Sequence, residues 1–211
     1  RQRQMCIRDR YNIGLEMRLF KRLNLSVDAY MDKRSKMPVS GSNVISSAIG
    51  ISIPQQNNGK TEYKGIDLGI DWKDKVGKDF TYYVGGTLNY IRTEVIENGE
   101  GYIPYDYLSG KGLPDGQLFG LEAIGYFRDE ADIANSPQQM FSEVRLGDIK
   151  YKDMNGDRII DDNDVHPIGH SSSVPEIYYG LKLGFEYKGF GLDALFQGVA
   201  DYSRMMNVSS V

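Results

Sequence analysis

The strongest constraint in this chain is alternation. In YNIGLEMRLF, which begins at Tyr11, Ile13, Leu15, Met17 and Leu19 are apolar while Asn12, Gly14, Glu16 and Arg18 are polar or small. Successive side chains of a strand point to opposite faces, so this is the pattern of a strand with one face in an apolar medium. After Lys21 and Arg22 it resumes through Leu23, Leu25, Val27, Ala29 and Met31. It recurs in EYKGIDLGIDW (Ile66, Leu68, Ile70, Trp72) and FTYYVGGTLNY (Phe80, Tyr82, Val84, Leu88, Tyr90). A third pair is IYYGLKLGFEYKGFGLDALFQ, turning at Lys188 and Gly189. Six strands in three hairpins are therefore expected.

Strand length and connection length then separate two all-β architectures. Each alternating run reaches about 10 residues, enough to cross a bilayer at a tilt, where soluble strands usually run to about 5 or 6. Short connectors at 21–22, 73–79 and 188–189 alternate with long ones at roughly 35–61 and 97–174. Short turns on one rim and long loops on the other are the layout of an outer-membrane barrel. Aromatic residues gather beside the short turns (Phe20, Trp72, Phe80, Tyr82, Tyr187, Phe190), where a membrane interface favours them. The reading is an all-β chain, part of an antiparallel transmembrane β-barrel, with long extracellular loops and a short helical segment in RDEADIANSP. The alternative is a soluble, secreted β-sandwich that binds carbohydrate and is stabilised by Ca²⁺; in that fold Leu68, Ile70, Leu181 and Leu183 would face a second sheet rather than lipid.

Composition agrees with many strands: 15 Tyr, 8 Phe and 24 Gly stand against one Cys in 211 residues. No window is long and apolar enough for a membrane-spanning helix. The opening RQRQMCIRDR lacks both periodicities and the apolar core of a secretory signal, and it resembles translated read-through of a sequencing adapter, so residues 1–10 are expected to be a non-native leader. Without them 21 basic and 28 acidic residues remain, a formal charge of −7, which disfavours nucleic acid as a partner.

Two candidate sites fall in the loops. DMNGDRIIDDND, Asp153 to Asp164, spaces oxygen ligands as a twelve-residue Ca²⁺ loop does: side chains of Asp153, Asn155, Asp157, Asp161 and Asp164, and the carbonyl of Ile159. It departs from that pattern at Arg158, which stands where a glycine makes the sharp turn, and at Asp164, which is shorter than the usual Glu. The four ligand carboxylates, with Asp162 beside them, repel in so short a stretch unless a cation neutralises them. Tyr102, Tyr105 and Tyr107 in GYIPYDYLSG offer flat rings for stacking on a sugar. His166 and His170 are four apart, but Pro167 and Gly169 make the stretch a loop and no zinc pair is expected. No nucleophile elbow, P-loop or zincin motif occurs, so an enzyme is not expected.

The ordered run of GDIKYKDMNGDRIIDDNDVHPIGHSSSVPEIYYGLKLGFEYKGFGLDALFQG, EYKGIDLGIDWKDKVGKDFTYYVGGTLNY, NIGLEMRLFKRLNLSVDAYMDKRSK and GYFRDEADI resembles the C-terminal barrel of the SusC/RagA family of TonB-dependent outer-membrane transporters of Bacteroidota. The resemblance covers essentially all of residues 11–211. It implies part of a Gram-negative outer-membrane importer of oligosaccharides or peptides, with a SusD-like surface lipoprotein as partner and energy relayed through TonB–ExbB–ExbD by regions outside this chain. Six strands cannot close a barrel of about 22. The plug, the earlier strands and the closing strands are expected beyond this sequence.

Overall fold

A computed structural model describes residues 6–39 and 55–206. Six long strands form one antiparallel sheet: β1 (Ile7–Leu19), β2 (Leu23–Val39), β3 (Gln56–Val76) and β4 (Phe80–Glu97), then, after the long loop, β11 (Ile177–Tyr187) and β12 (Phe190–Ala200). Their order is β1-β2-β3-β4-β11-β12, so each strand lies beside its nearest long-strand neighbour in sequence. The loop between β4 and β11 carries short pieces: β5 (Gln117–Gly120), β6 (Ala123–Tyr126), helix α1 (Glu130–Asn135), β7 (Gln138–Gln139), β8 (Ile149–Tyr151), β9 (Ile159–Ile160) and β10 (His166–Ser171).

Register sorts the side chains into two faces. Leu15, Val27, Leu68, Leu88 and Tyr179 are cross-strand partners in one row, and Met17, Leu25, Ile70, Gly86, Leu181 and Phe196 form the next. A one-residue slip in any pair would send its whole apolar set to the polar face. The other face reads Glu16, Ser26, Gly69, Thr87, Gly180 and Gln197, then Arg18, Asn24, Asp71, Gly85 and Lys182. Here Gly65 lies against the Tyr30 ring, and a Cβ at that position would overlap it, so glycine lets the tyrosine lie flat on the wall.

The apolar face is bare: Ile70 is 49% and Leu181 42% exposed, with Leu68 and Leu183 close behind. Among the described residues the fully buried apolar side chains are Phe127 and Ile160, both in the long loop and neither under the sheet. A sandwich would bury that face against a second sheet, and among the described residues no second sheet covers it. On β4 the outward run Phe80 to Tyr90 spans 11 residues. At about 3.3 Å per residue this is roughly 33 Å, which a tilt of about 40° reduces to about 25 Å, the height of a barrel's apolar band. The sheet is thus a segment of barrel wall whose two edge strands are free to pair further.

The three tight turns lie at one end. At the last, Lys188 (φ 49°) and Gly189 (φ 84°) both take the left-handed backbone that a two-residue hairpin of this twist requires. Beside the turns, Phe80 packs against Tyr82, Phe185 and Tyr187 with ring centroids 6.0 to 6.4 Å apart, and the Trp72 indole donates to the Tyr82 hydroxyl at 3.3 Å. Trp72, Phe80, Tyr82 and Tyr187 of the expected aromatics thus cluster, joined by Phe185, while Phe20 and Phe190 stand exposed beside them. At the other end β2, β3 and β4 run several residues past the alternating stretches, through sequences such as KRSKMPV and QNNGKT. Both faces are wet there, so the ladder continues after the alternation stops. β1 likewise begins at Ile7, four residues inside the expected leader, because β2 is long enough to pair with it.

In the full-length protein, Leu181→Arg on the outward face should cost about 2–4 kcal/mol of barrel stability, because a cation is placed against lipid. Gln197→Arg on the inward face should change it by about 0.5 kcal/mol or less. Reversible unfolding in detergent or lipid checks both, and equal effects would contradict the facing assigned to these strands.

Candidate functional site

The long loop is built by side chains that bond backbone. Glu100 is its first organiser: Oε1 accepts from the Gly110 amide at 2.7 Å, and Oε2 accepts from Ser109 Oγ at 2.7 Å. Asn98 also donates its side-chain amide to Glu100. Burial alone would raise the Glu100 pKa, but the donors Asn98, Ser109 and Gly110 outweigh it and hold the carboxyl below its usual range. This closes residues 98–110 into the loop that carries the three tyrosines.

The tyrosines divide their work. Tyr102 is 93% exposed. Tyr105 and Tyr107 stack on each other, 5.3 Å apart and 9° from parallel. Tyr107 sits in a 3₁₀ turn (Asp106–Leu108) and donates its hydroxyl to the Asn163 carbonyl at 2.7 Å, so it ties this segment to the acidic loop. Burial, with Asp164 and neighbouring carboxylates, raises its pKa.

In the acidic loop four of the five carboxylates serve amides. Asp153 accepts from Gly156 and Arg158 amides (2.6 and 2.8 Å), Asp157 from Ile159 (2.8 Å), and Asp161 from Asn163 (2.7 Å). Asn155 Oδ1 accepts from the Asp157 amide at 2.9 Å. Asp164, fully buried, accepts from Met154 and Asp161 amides at 2.7 and 2.9 Å and closes a capping box with Asp161 on a second 3₁₀ turn. Ile159 and buried Ile160 pair with Gln138 and Gln139 in the parallel β7–β9 ladder, which ties the loop to the segment after α1. Among the described residues no three His, Cys, Asp or Glu groups converge to hold a metal ion. Arg158, the residue in the glycine position, has φ 67°. The chain makes the sharp turn at a cost on the order of 1–2 kcal/mol for a residue with a Cβ.

A second anchor, Asp115, fixes the loop to the wall, and alternation gave no sign of it because it lies between elements. Its amide donates to Thr93 Oγ1 at 2.9 Å, its Oδ2 accepts from the Tyr63 hydroxyl at 3.1 Å, and its carbonyl accepts from buried Ser171 Oγ at 2.5 Å. Tyr63 and Thr93 are cross-strand partners on the inward face of β3 and β4. The Arg34 guanidinium lies 4.3 Å from the Tyr63 ring centroid. The loop is therefore pinned on the inward side of the sheet, beside a cleft of about 330 Å³ lined by Asn12, Asp28, Tyr30, Arg34, Tyr63 and Asp67. That cleft is polar, and its wall also holds buried Asp32, which Arg8 and Arg10 of the expected leader approach.

The histidines differ from the loop expected of them: His166 to Ser171 form β10, paired with β5 and kinked at Gly169 (φ 59°). His166 lies 3.6 Å from Glu122 and His170 3.8 Å from Asp201, so the two face different partners. The short helix α1 forms where RDEADIANSP placed it, with Asp129 accepting from the Asp132 amide at 2.7 Å as N-cap. Lys150 holds Asp132 at 2.8 Å and lowers its pKa.

Three outcomes are expected in the full-length protein. Arg158→Gly should strengthen the acidic loop by about 1 kcal/mol through relief of the left-handed backbone, read as slower amide exchange at residues 156–160. Tyr63→Phe and Asp115→Ala should each weaken the anchor by about 1 kcal/mol, and together by less than the sum, read as faster protease nicking near residue 115. The third concerns pH. Because the folded Glu100 carboxyl lies below its unfolded value, its contribution is complete above the unfolded pKa of about 4.3 and is lost as pH falls through the folded value. Protection of the Gly110 amide should therefore fall over that acid range, and Glu100→Gln should remove the pH dependence.

Residues 9–204 match the family described as "TonB dependent receptor-like, beta-barrel". The chain is 28% identical to TonB-dependent receptor P39 of Formosa agariphila, over 88% of this chain and 21% of that protein. Among solved structures it is similar to the RagAB peptide importer in its closed-closed state (TM-score 0.65, 22% identity) and in its open-open state (TM-score 0.68, 21% identity). Each match covers 92% of this chain, and 21% and 20% of the respective importer chains. The chain thus spans about a fifth of the length of the relatives it matches.

Proposed function

From the premise that the chain belongs to the TonB-dependent receptor-like β-barrel family, we propose that it is part of the wall and one extracellular loop of a Gram-negative outer-membrane nutrient importer. The family is one of transporters, not enzymes. The observation that carries the reading is the two-faced sheet, with an apolar band about 25 Å high outside and a mostly polar lining within, interrupted at Ile91, Leu195 and Val199. Such a wall passes a hydrated solute and does no covalent chemistry. The cargo is a polar oligomer, an oligosaccharide or a peptide, which would meet Tyr102, the Tyr105–Tyr107 stack and the cleft beside Arg34 at the mouth. A SusD-like surface lipoprotein would close that mouth over the loops, and TonB–ExbB–ExbD would act through regions outside this chain.

The test is made on the complete gene in its host. The protein should fractionate with outer membranes, and its deletion or loss of TonB should abolish uptake of one oligosaccharide or peptide class. Recovery in the soluble fraction, or uptake that does not depend on TonB, would end the proposal.

For the acidic loop we propose a Ca²⁺ role that stiffens the loop without signalling. Support comes from the ligand spacing and from the left-handed backbone at Arg158, the sixth position of the loop. In the purified full-length protein, Ca²⁺ should slow proteolysis within residues 153–164 and a chelator should reverse this. Identical rates with and without Ca²⁺ would mean that the amide bonds alone hold the loop.

A further inference from the structure

The inward face of the wall carries a like-charge pair. Asp28 on β2 and Asp67 on β3 are direct cross-strand partners, an arrangement that destabilises a sheet when nothing cationic intervenes. Their partners on either side in that row are Gly14 and Asn89, and in the rows directly above and below, β1 to β4 place no lysine or arginine on this face. Arg10, two rows up, is turned to Asp32. The two carboxylates lean apart: the Asn89 side-chain amide donates to Asp67, and a Cβ at Gly14 would fall on the Asp28 carboxylate. Neither has an ion pair with any described residue.

The row above supplies an aromatic face. Tyr30 lies flat across Gly65, in the cleft of about 330 Å³ that Asp28 and Asp67 also line. One row higher in the same cleft, Asp32 is 2% exposed. Arg8 Nε donates to its Oδ2 at 2.6 Å and Arg10 lies 3.8 Å from the same oxygen, but Oδ1 accepts no hydrogen bond from any described residue, and Arg34 Nε stands 3.7 Å from it. A ring face with carboxylates above and below suits an ammonium or guanidinium, which the ring attracts and the carboxylates bond. Rows on one face are two residues, about 6.6 Å, apart, a span that a four-carbon stem laid along the ring covers. An amino sugar holds its nitrogen against its own ring and lacks that reach.

We propose that Asp28, Asp67 and Tyr30 form a subsite for a basic side chain of an imported peptide, its stem on the Tyr30 ring and its charge between the two carboxylates, with Asp32 Oδ1 as an acceptor at the upper end. The inference rests on the importer reading, because it needs cargo against this face. It narrows that reading from a polar oligomer to a peptide that carries lysine or arginine.

The full-length protein, purified in detergent, is titrated by calorimetry with serine–alanine octapeptides that differ only in a central lysine, norleucine or glutamate, and with a glucosamine tetramer. The lysine peptide should bind, and the norleucine and glutamate peptides should bind on the order of tenfold or more weakly. In the double variant Asp28→Asn/Asp67→Asn this preference should disappear, while Asp193→Asn, on β12, should keep it. The ligand-free double variant should unfold at the same temperature as the parent or higher, because a like-charge pair is removed. Equal binding of the three peptides by the parent, binding of none, or a preference retained by the double variant would overturn the site. A lower unfolding midpoint for the ligand-free double variant would overturn it too, because a cation of the protein itself would then fill the cleft. Tighter binding of the glucosamine tetramer than of the lysine peptide would overturn the peptide as ligand. The importer reading is judged separately, by fractionation and TonB-dependent uptake: a soluble protein ends both, and a TonB-dependent importer indifferent to cargo charge ends only this one.

Discussion

Everything in this sheet depends on keeping the backbone ladder complete. A peptide N–H or C=O left unpaired in hydrocarbon costs several kcal/mol, so a strand that crosses lipid must bond along its whole length to both neighbours. Continuous pairing fixes register, and register fixes the face of every side chain, because the side-chain period is two. From β4 to β12 the pairing runs residue by residue without a bulge. The irregularities recorded within the large sheet, between Arg34 and Val39 and between Lys60 and Thr61, lie above the apolar band, where water can serve an unpaired group.

The same constraint explains what was legible in the sequence. The six strands, the three turns, the aromatic cluster and the outward face could be read from alternation because lipid imposes it from one side only. Where both faces are wet, as at Met37, Pro38 or Asn57, no side is favoured and the strand ends could not be read. The acidic loop was legible as a spacing, but the spacing does not distinguish oxygens turned to a cation from oxygens turned to amides. Arg158 illustrates the limit: the sequence showed the wrong residue for a sharp turn, and the structure makes the turn there anyway. Asp115, Glu100 and Ser171 carried no signal, because they act through partners far away in sequence or through loop amides.

Anchoring and exposure are divided between the wall and the loop. The wall leaves its apolar face for lipid, and the small closed core, Phe127 and Ile160, belongs to the loop. The loop therefore holds itself together by polar bonds from Glu100, Asp153 and Asp164 and is tied to the wall at Thr93 and Tyr63. This arrangement leaves Tyr102 exposed and holds the Tyr105–Tyr107 stack in a loop tied to the acidic loop through the Asn163 carbonyl.

The central claim is that odd and even residues of these strands live in different solvents, and one measurement tests it directly. Cys6 is the only cysteine in this chain, and the remainder of the complete transporter would be made cysteine-free in the same way. Single cysteines placed in turn at positions 178 to 186 of β11 in the membrane-embedded, full-length protein would carry a spin label. Odd positions should be quenched by a lipid-soluble relaxer, and even positions by a water-soluble one. A uniform response along the strand, or alternation with the opposite parity, would contradict the account.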